Sequence, residues 1–371
     1  MVARRARASA SLSESRIALE SPVARVVIIT GGSSGIGRCT AALFARRGWK
    51  VGLIARGAEG LEASRRDIEA AGGRAATAQA EVTDSAALAR AADALIAALG
   101  PVDVWINCAG NGVYGRFDDV PEHEFQRVTD VTYHGAVNGT RVALAKMRAR
   151  DAGTIVNVCS AIAFHGLPLM SSYAGAKAAV RAFSQAVQGE LRLEHSRIRI
   201  STVFPPAVNT PFFSHAVSHM GWPARPAWPV YQPEVVAQGI WQAVASGRPE
   251  MTISGTAAAF SLATRIAPGL IAWCMSRLGM ERQSTRDRDA CRLQEPTLFV
   301  ASQRVFDIHG PFGDGARARS LHLFLERQLT AVKMVFRRAR PRPPDARSPS
   351  THVRPEPDRE LSGSAERLAD S

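Results

Sequence analysis

Close pairs of cysteines are absent from this sequence. Its 371 residues include five cysteines, which are widely spaced and form no C-x-x-C pair. An odd number of distant thiols argues against both a disulfide framework and a zinc site, so we expect no metal. The thiols that fall in predicted core elements are expected to act as small apolar fillers.

The first 22 residues lack the apolar run that a secretory signal needs. Arginine and serine are frequent there, as in some transit peptides, but Glu14 and Glu20 are unusual for one. We expect residues 1–22 to form a disordered leader and the protein to be cytoplasmic.

Basic segments interleaved with aromatic residues are also missing, although the formal net charge is +13. Nucleic-acid-binding domains usually concentrate their positive charge on one face or along one helix. Scattered arginines with acidic neighbours favour a solvated basic surface instead, so we expect no nucleic-acid partner.

A regular alternation of short β-branched runs and alanine-rich stretches begins at residue 23. Seven runs read as strands: ARVVIIT, KVGLIAR, RAATAQAEV, VDVWIN, GTIVNVCS, RIRISTVFP and EMTIS. They are apolar on both faces and alternate with helical patterns, which predicts a parallel sheet covered by helices on both sides. We therefore expect an α/β, Rossmann-type doubly wound domain of about seven strands over residues 23–255.

The rhythm stops after residue 255, and a C-terminal helical extension is predicted for residues 256–336. Its first part is apolar over some twenty residues, but Arg265 and Pro268 interrupt it. We favour a helix pair packed on the main domain; an arm at a dimer contact, or peripheral membrane contact through residues 256–336, are the alternatives.

A second helix in this extension is predicted from an apolar stripe with spacings of three and four residues. The stripe consists of Leu321, Leu325, Leu329, Val332 and Phe336. We expect it to pack against the domain. Residues 337–371, which are rich in proline, arginine and serine, are predicted to be a disordered tail.

A glycine-rich turn, TGGSSGIG, directly follows the first strand and precedes a helix. Glycines allow a tight turn and close approach to a phosphate, and a helix N-terminus offers unpaired N–H groups to a pyrophosphate. No Gly-Lys-Ser/Thr follows, which excludes a phosphate loop of the nucleoside-triphosphatase type. The turn residues assigned to a dinucleotide cofactor are Gly31, Ser33, Ser34, Gly35, Ile36 and Gly37.

The second strand lacks the terminal carboxylate that would bind the ribose 2′-hydroxyl of NAD. Arg56 stands there instead, and a guanidinium suits the 2′-phosphate of NADP. The sequence thus favours NADP(H); the alternative is that Arg56 is a solvated strand end. Glu81 and Val82, at the end of the third strand, are placed beside the adenine.

Tyr173 and Lys177 share one face of a predicted helix because they are four residues apart. An isolated tyrosine, with a pKa of about 10, is a poor base near neutrality, and a neighbouring ammonium would stabilise its phenolate. Ser160 ends the fifth strand, at the edge where such sheets bind ligands, and its hydroxyl could donate to the same substrate oxygen.

In their order along the chain, the glycine turn, the NCAG motif after the fourth strand, Ser160, Tyr173 and Lys177 resemble the classical short-chain dehydrogenase/reductase family over residues 23–255. The resemblance implies that Tyr173 is the general acid or base, that Ser160 orients the substrate, and that Lys177 binds the nicotinamide ribose and lowers the pKa of Tyr173. The further cofactor contacts implied are Asn107, Ala109, Gly110, Tyr173, Pro205, Val208 and Thr210.

Three positions depart from the family pattern. Cys108 replaces a usual asparagine and Pro206 a usual glycine. Thr132 stands where the family has its fourth catalytic residue, an asparagine thought to hold a water in a proton relay. A threonine hydroxyl can also hold water, so Thr132 is assigned to the catalytic set and activity is expected.

An aromatic and proline-rich loop, residues 210–232, follows the sixth strand. It suits a bulky apolar substrate, or it simply covers the sheet edge. The residues and the resemblance together predict an NADP(H)-dependent oxidoreductase acting on a hydrophobic carbonyl or alcohol, and the resemblance implies a homo-oligomer, a dimer or tetramer. The alternative is a non-catalytic nucleotide sensor or scaffold on the same fold.

Overall fold

The computed structural model describes residues 25–278, 283–285, 287 and 291–329. The leader predicted for residues 1–22, the stripe residues Val332 and Phe336, and the tail predicted for residues 337–371 lie outside the described residues.

Seven parallel strands form one sheet in the order β7-β6-β5-β4-β1-β2-β3. The strands are β1 (Val26–Thr30), β2 (Lys50–Ala55), β3 (Arg74–Gln79), β4 (Val104–Asn107), β5 (Thr154–Val158), β6 (Arg199–Phe204) and β7 (Glu250–Thr252). The order reverses between β1 and β4, which is the topological switch point of a doubly wound sheet and the usual place for a ligand. The predicted Rossmann-type fold is confirmed.

Burial of the central strands explains why their sequences are apolar on both faces. Every residue of β1, β4 and β5 is buried. The edge strand β3 has none buried and contains arginine, threonine and glutamine. A parallel strand with helices on both faces requires apolar side chains in both directions, whereas an edge strand tolerates polar ones.

Helices cover both faces of the sheet. They are α1 (Gly35–Arg46), α2 (Ala58–Ala70), α3 (Ser85–Leu99), α4 (Glu122–Thr129), α5 (Gly135–Met147), α6 (Ser171–Leu193) and α7 (Pro233–Ser246). One core contains residues of α1, α2 and α7, and the other contains residues of α3, α5 and α6. Asp84 begins α3 by accepting a hydrogen bond from the backbone N–H of Ala87 at 2.9 Å.

Short elements complete the domain. A π-helical turn, Asp130–His134, joins α4 to α5, and 3₁₀ turns lie at Phe117–Asp119, Arg148–Arg150 and Ala161–Phe164. A four-residue helix spans Phe212–His215. Two-residue strands pair Val113–Tyr114 with Val217–Ser218, and Ala207–Val208 with Val230–Tyr231.

The extension begins with the predicted helix pair, α8 (Gly255–Ile266) and α9 (Pro268–Leu278). Pro268 starts the second helix, as expected for a residue that cannot continue the first. The described residues between 283 and 320 are largely irregular, and residues 321–329 are helical. Among the described residues, no helix is long and apolar enough to cross a membrane.

The prediction that the stripe of the last helix packs against the domain is wrong for its described part. Leu321, Leu325 and Leu329 are exposed, whereas Leu323 is buried. The helix therefore contacts the domain through a different face, beside His322, whose Nε2 lies 3.1 Å from the Thr252 hydroxyl. Apolar spacing indicates that a helix is amphipathic, but not which of its faces is covered.

Candidate active site

A cavity of about 530 Å³ lies at the carboxyl edge of the sheet, within the range typical of ligand pockets. It is lined by residues that follow β1 and β4, by residues of β2, β5 and α6, and by the extension. The predicted site residues that line it are Gly31, Ser33, Ser34, Gly35, Ile36, Gly37, Arg56, Glu81, Val82, Ala109, Gly110, Ser160, Tyr173, Lys177, Pro205, Val208 and Thr210.

The glycine turn has the compact geometry that only glycine allows. Gly31 and Gly35 have φ angles of +69° and +51°, a region that other residues rarely adopt. A Cβ on Gly37 would lie 2.1 Å from the carbonyl oxygen of Gly31. Side chains at Gly31 and Gly37 would collide with neighbouring protein atoms. Glycine therefore lets the chain turn tightly into the N-terminus of α1, which fits a pyrophosphate.

One end of the cavity is lined by charged groups. The Glu81 carboxylate lies 2.5 Å from an Arg127 nitrogen and 3.5 Å from Arg56. Burial lowers the pKa of Arg56, Glu81 opposes this shift and Arg127 adds to it, although a guanidinium stays charged at neutral pH. Oε1 of Glu81 is buried without a hydrogen-bond partner among the described residues. An adenine amino group would satisfy it, so this end fits an adenosine.

The other end brings together Ser160, Tyr173 and Lys177. Ser160 follows β5, and its hydroxyl accepts a hydrogen bond from the N–H of Ile162 at 3.4 Å. Tyr173 and Lys177 lie on the first turns of α6, with the lysine Nζ 5.5 Å from the centre of the tyrosine ring. Lys177 is nine-tenths buried, and its Nζ donates to the carbonyl of Val158 at 2.8 Å.

The pKa of Tyr173 is raised rather than lowered in this structure. Burial is the largest cause, the thiols of Cys159 and Cys108 add to it, and a hydrogen bond with Ser160 opposes it. Burial also lowers the pKa of Lys177 from its usual value. Burial thus dominates the pKa of Tyr173, and the phenol is protonated at neutral pH.

The short-chain dehydrogenase family model matches residues 25–221, just over half of the chain. The chain belongs to the short-chain dehydrogenase/reductase family. An uncharacterised oxidoreductase of Bacillus subtilis, YxnA, is 30% identical over 285 residues, which cover 76% of this chain and 80% of YxnA.

Solved structures of this family resemble the domain. A variant of actinorhodin polyketide ketoreductase with NADPH shares 25% identity, with a TM-score of 0.56, and covers 62% of this chain and 95% of its own. A short-chain dehydrogenase/reductase from Burkholderia phymatum in complex with NAD shares the fold, at 24% identity and a TM-score of 0.61, over 67% of this chain and 95% of its own. An oxidoreductase with a nicotinamide cofactor is therefore established at the level of the family.

Two predicted site residues of this short-chain dehydrogenase/reductase lie behind the cavity wall rather than on it. Asn107 is buried in a network, where its amide donates to Asn157 at 2.8 Å and accepts from the Trp105 indole at 2.8 Å. Thr132 is fully buried, and its hydroxyl lies 3.4–3.5 Å from the backbone O and N of Asn111. Neither residue lines the cavity. Asn107 therefore has a structural role in the buried network instead of the cofactor contact that we expected.

Asn111 is a lining residue that sequence reasoning missed. It is buried, and neither polar atom of its amide has a hydrogen-bond partner among the described residues. A buried amide without a partner costs about 1–3 kcal/mol, which a water or ligand in the cavity would recover. One signal in the sequence could have identified Asn111: it directly follows the NCAG motif.

The remaining cavity wall is largely apolar and includes part of the predicted substrate loop. The larger apolar side chains there are Tyr114, Ile162, Leu167, Met170, Phe212, Phe213, Trp228, Phe260 and Met275. The last two belong to α8 and α9, so the helix pair forms part of the wall. Cys108 and Pro206, the other departures from the family pattern, also line the cavity.

The loop histidines differ in their surroundings. His219 pairs with Glu124 at 2.7 Å. The pKa of His215 is lowered, chiefly by burial, and its Nε2 lies 2.6 Å from the carbonyl of Val305 in the extension. These contacts give both histidines structural partners.

Proposed function

We propose that this chain is an NADP(H)-dependent oxidoreductase that interconverts a carbonyl and a secondary alcohol on a hydrophobic molecule. The observation that carries the proposal is the placement of Ser160, Tyr173 and Lys177 in the same cavity as the glycine turn. A nucleotide sensor would need the turn but not the three polar side chains.

In the proposed reduction, Tyr173 is the general acid. When bound, the nicotinamide cofactor supplies the hydride for the carbonyl carbon. Tyr173 gives its proton to the carbonyl oxygen, and the Ser160 hydroxyl donates a hydrogen bond to that oxygen as its charge grows. Because burial raises the pKa of Tyr173, the phenol is protonated at neutral pH and holds the proton that it gives in reduction.

Lys177 supplies positive charge beside the phenol. Its ammonium is the nearest cation to the Tyr173 ring, at 5.5 Å, and it stabilises the phenolate that remains once the proton has been given. The Val158 carbonyl holds Nζ in place, so this charge is available without rearrangement of the side chain.

The preference for NADP(H) rests on the charges at the adenosine end. Arg56 and Arg127 carry two positive charges against the one negative charge of Glu81. The local balance is thus positive, and Ser33 lines the same part of the cavity. A 2′-phosphate would gain charge-assisted hydrogen bonds from a guanidinium, which the 2′-hydroxyl of NAD would not.

A hydrophobic substrate is proposed from the apolar wall around Tyr173. The ring of Phe212 lies 5.3 Å from that of Tyr173, and Met170 and Phe213 pack nearby. A polar substrate would leave hydrogen-bonding groups unsatisfied against these side chains, at a cost of about 1–3 kcal/mol each.

NADPH consumption against pooled hydrophobic ketones and aldehydes tests the proposal, with NADH and Tyr173→Phe run beside it. Turnover with NADPH that Tyr173→Phe loses would support the enzyme and the role of the tyrosine. Tight NADPH binding without turnover across the pool would favour the second candidate, a nucleotide sensor, which is motivated by the missing asparagine at Thr132.

A homo-oligomer is proposed as well, and light scattering of the purified protein tests it.

A further inference from the structure

A segment of the extension, residues 295–307, crosses the cofactor cavity; we call it the strap. At one side it is attached to the substrate loop. The backbone N–H groups of Glu295 and Thr297 donate to the carbonyls of Ser214 and His215, both at 3.0 Å. Near its far end, the Val305 carbonyl accepts from the His215 ring.

At the other side, three arginines around the adenosine end donate to strap carbonyls. Arg56 reaches the carbonyl of Thr297 at 2.6 Å, and Arg127 reaches that of Leu298 at 3.0 Å. Arg38, on α1, reaches that of Phe306 at 2.7 Å. The partners in the strap are all main-chain atoms, so the path of its backbone determines these contacts.

The strap also contacts the glycine turn itself. The N–H of Gly35, at the start of α1, donates to the carbonyl of Asp307 at 2.9 Å. A Cβ on Gly60 would lie 3.2 Å from the Cβ of Phe306. The backbone of the domain and that of the strap are therefore in direct contact over the phosphate-binding end.

Glu295 stabilises the conformation of the strap through its hydrogen bonds. Its carboxylate accepts from the Ser302 hydroxyl at 2.6 Å and from the N–H groups of Gln303, Arg304 and Val305 at 2.8–3.3 Å. Burial acts to raise the pKa of Glu295, but these hydrogen bonds outweigh it and lower the pKa to about 2. The carboxylate is thus charged at neutral pH and holds residues 302–305 in one turn.

Several strap residues line the cavity rather than fill it. They are Thr297, Ala301, Ser302, Val305 and Phe306. We propose that the strap is part of the cofactor site: it closes over the adenosine and pyrophosphate half, so that the nicotinamide dinucleotide enters and leaves only when the strap lifts. This inference rests on the proposed function for the identity of the cofactor.

A reversible tether tests the inference directly. A Cβ on Gly57 would lie 3.2 Å from the Cβ of Ala301, slightly closer than the roughly 3.5–4.5 Å of a disulfide. In the oxidised Gly57→Cys, Ala301→Cys protein, NADPH release, followed by fluorescence in a stopped-flow chase, should slow about tenfold or more. Reduction with dithiothreitol should restore the rate, and the reduced protein is the control. Equal release rates in both states would overturn the proposal.

Loosening the strap should have the opposite effect. In Glu295→Gln, the charge that organises residues 302–305 is lost, so NADPH should dissociate faster and its Kd should rise about tenfold. Glu326→Gln is the matched control. Glu326 lies in the same extension, pairs with Arg248 and does not line the cavity. Tighter NADPH binding in Glu295→Gln would show that the strap competes with the cofactor, and would overturn the proposal.

Hydrogen exchange supplies a readout that needs no turnover. NADPH should slow exchange in peptides covering the strap of the wild-type protein, and unchanged exchange there would contradict the proposal.

The two proposals can fail separately. NADPH binding with protection of the strap but without turnover contradicts only the proposed function, and turnover with unchanged release kinetics in both strap variants contradicts only the strap. If the wild type binds neither NADPH nor NADH, both are overturned.

Discussion

The two ends of the cavity are built in different ways. At the reacting end, Ser160, Tyr173 and Lys177 lie within 18 residues of the chain, on the end of β5 and the first turns of α6. At the adenosine end, Arg56 meets the carbonyls of Thr297 and Leu298 across 241 and 242 residues. The proposed catalytic residues thus lie on local, regular structure, whereas the proposed hold on the cofactor depends on a distant segment with irregular backbone.

This difference predicts that substitutions at the reacting end change kcat, while those at the adenosine end change cofactor affinity. The largest effect is expected for Lys177→Met. Loss of a buried ammonium from the general acid's surroundings should lower kcat by about 10²–10⁴-fold, with a much smaller change in the Kd of NADPH. Steady-state kinetics and fluorescence titration measure the two. Lys146→Met, at a partly exposed lysine paired with Asp93, is the control, and an unchanged kcat in Lys177→Met would contradict the division.

The reacting end could be predicted from the sequence because its residues are of special chemical types at fixed spacing. A tyrosine four residues before a lysine, after a strand that ends in serine, has one geometric consequence once the fold is known. The raised pKa of Tyr173 could not be predicted, because it depends on how Cys108, Cys159 and the surrounding wall exclude water.

The strap could not be predicted in this way. Its contacts with Arg38, Arg56 and Arg127 use main-chain carbonyls, which every residue has, and so they leave no sequence signal. The sequence pattern predicted the helices of the extension, but it could not show that they form part of the cavity wall. Asn107 shows the converse: its motif was recognised, but its amide is used in a buried network.

The second expected effect is at the adenosine end. Arg56→Gln removes a charged partner of the proposed 2′-phosphate, so the Kd of NADPH should rise about 10–100-fold. The Kd of NADH should rise less, because NADH loses only the contact of Arg56 with the strap, and the kcat at saturation should stay near wild type. Arg74→Gln, at an exposed arginine on β3, is the control. An equal loss for both cofactors would show that Arg56 acts through the strap instead of through the 2′-phosphate.

A smaller effect is expected from pH. Burial lowers the pKa of Lys177 below its usual value and raises that of Tyr173, so the lysine loses its proton first as the pH rises. Activity that needs the ammonium is present below the pKa of Lys177 and falls about tenfold per pH unit above it. The pH profile of kcat/KM for reduction should thus show an alkaline limb that Lys177→Met lacks. A limb that persists in this variant would have to be assigned to another group.

The smallest effect is expected where the sequence departs most from its family. Thr132 supports the backbone of Asn111 from behind the cavity wall, and it is fully buried. Thr132→Asn should leave kcat equal to wild type or better, because an amide can make the same backbone contacts and also hold a water. Thr132→Val, which keeps the shape but loses the hydroxyl, is the matched variant and should lower the free energy of unfolding by about 1 kcal/mol. A large loss of kcat in Thr132→Asn would instead show that the threonine has a role of its own at the reacting end.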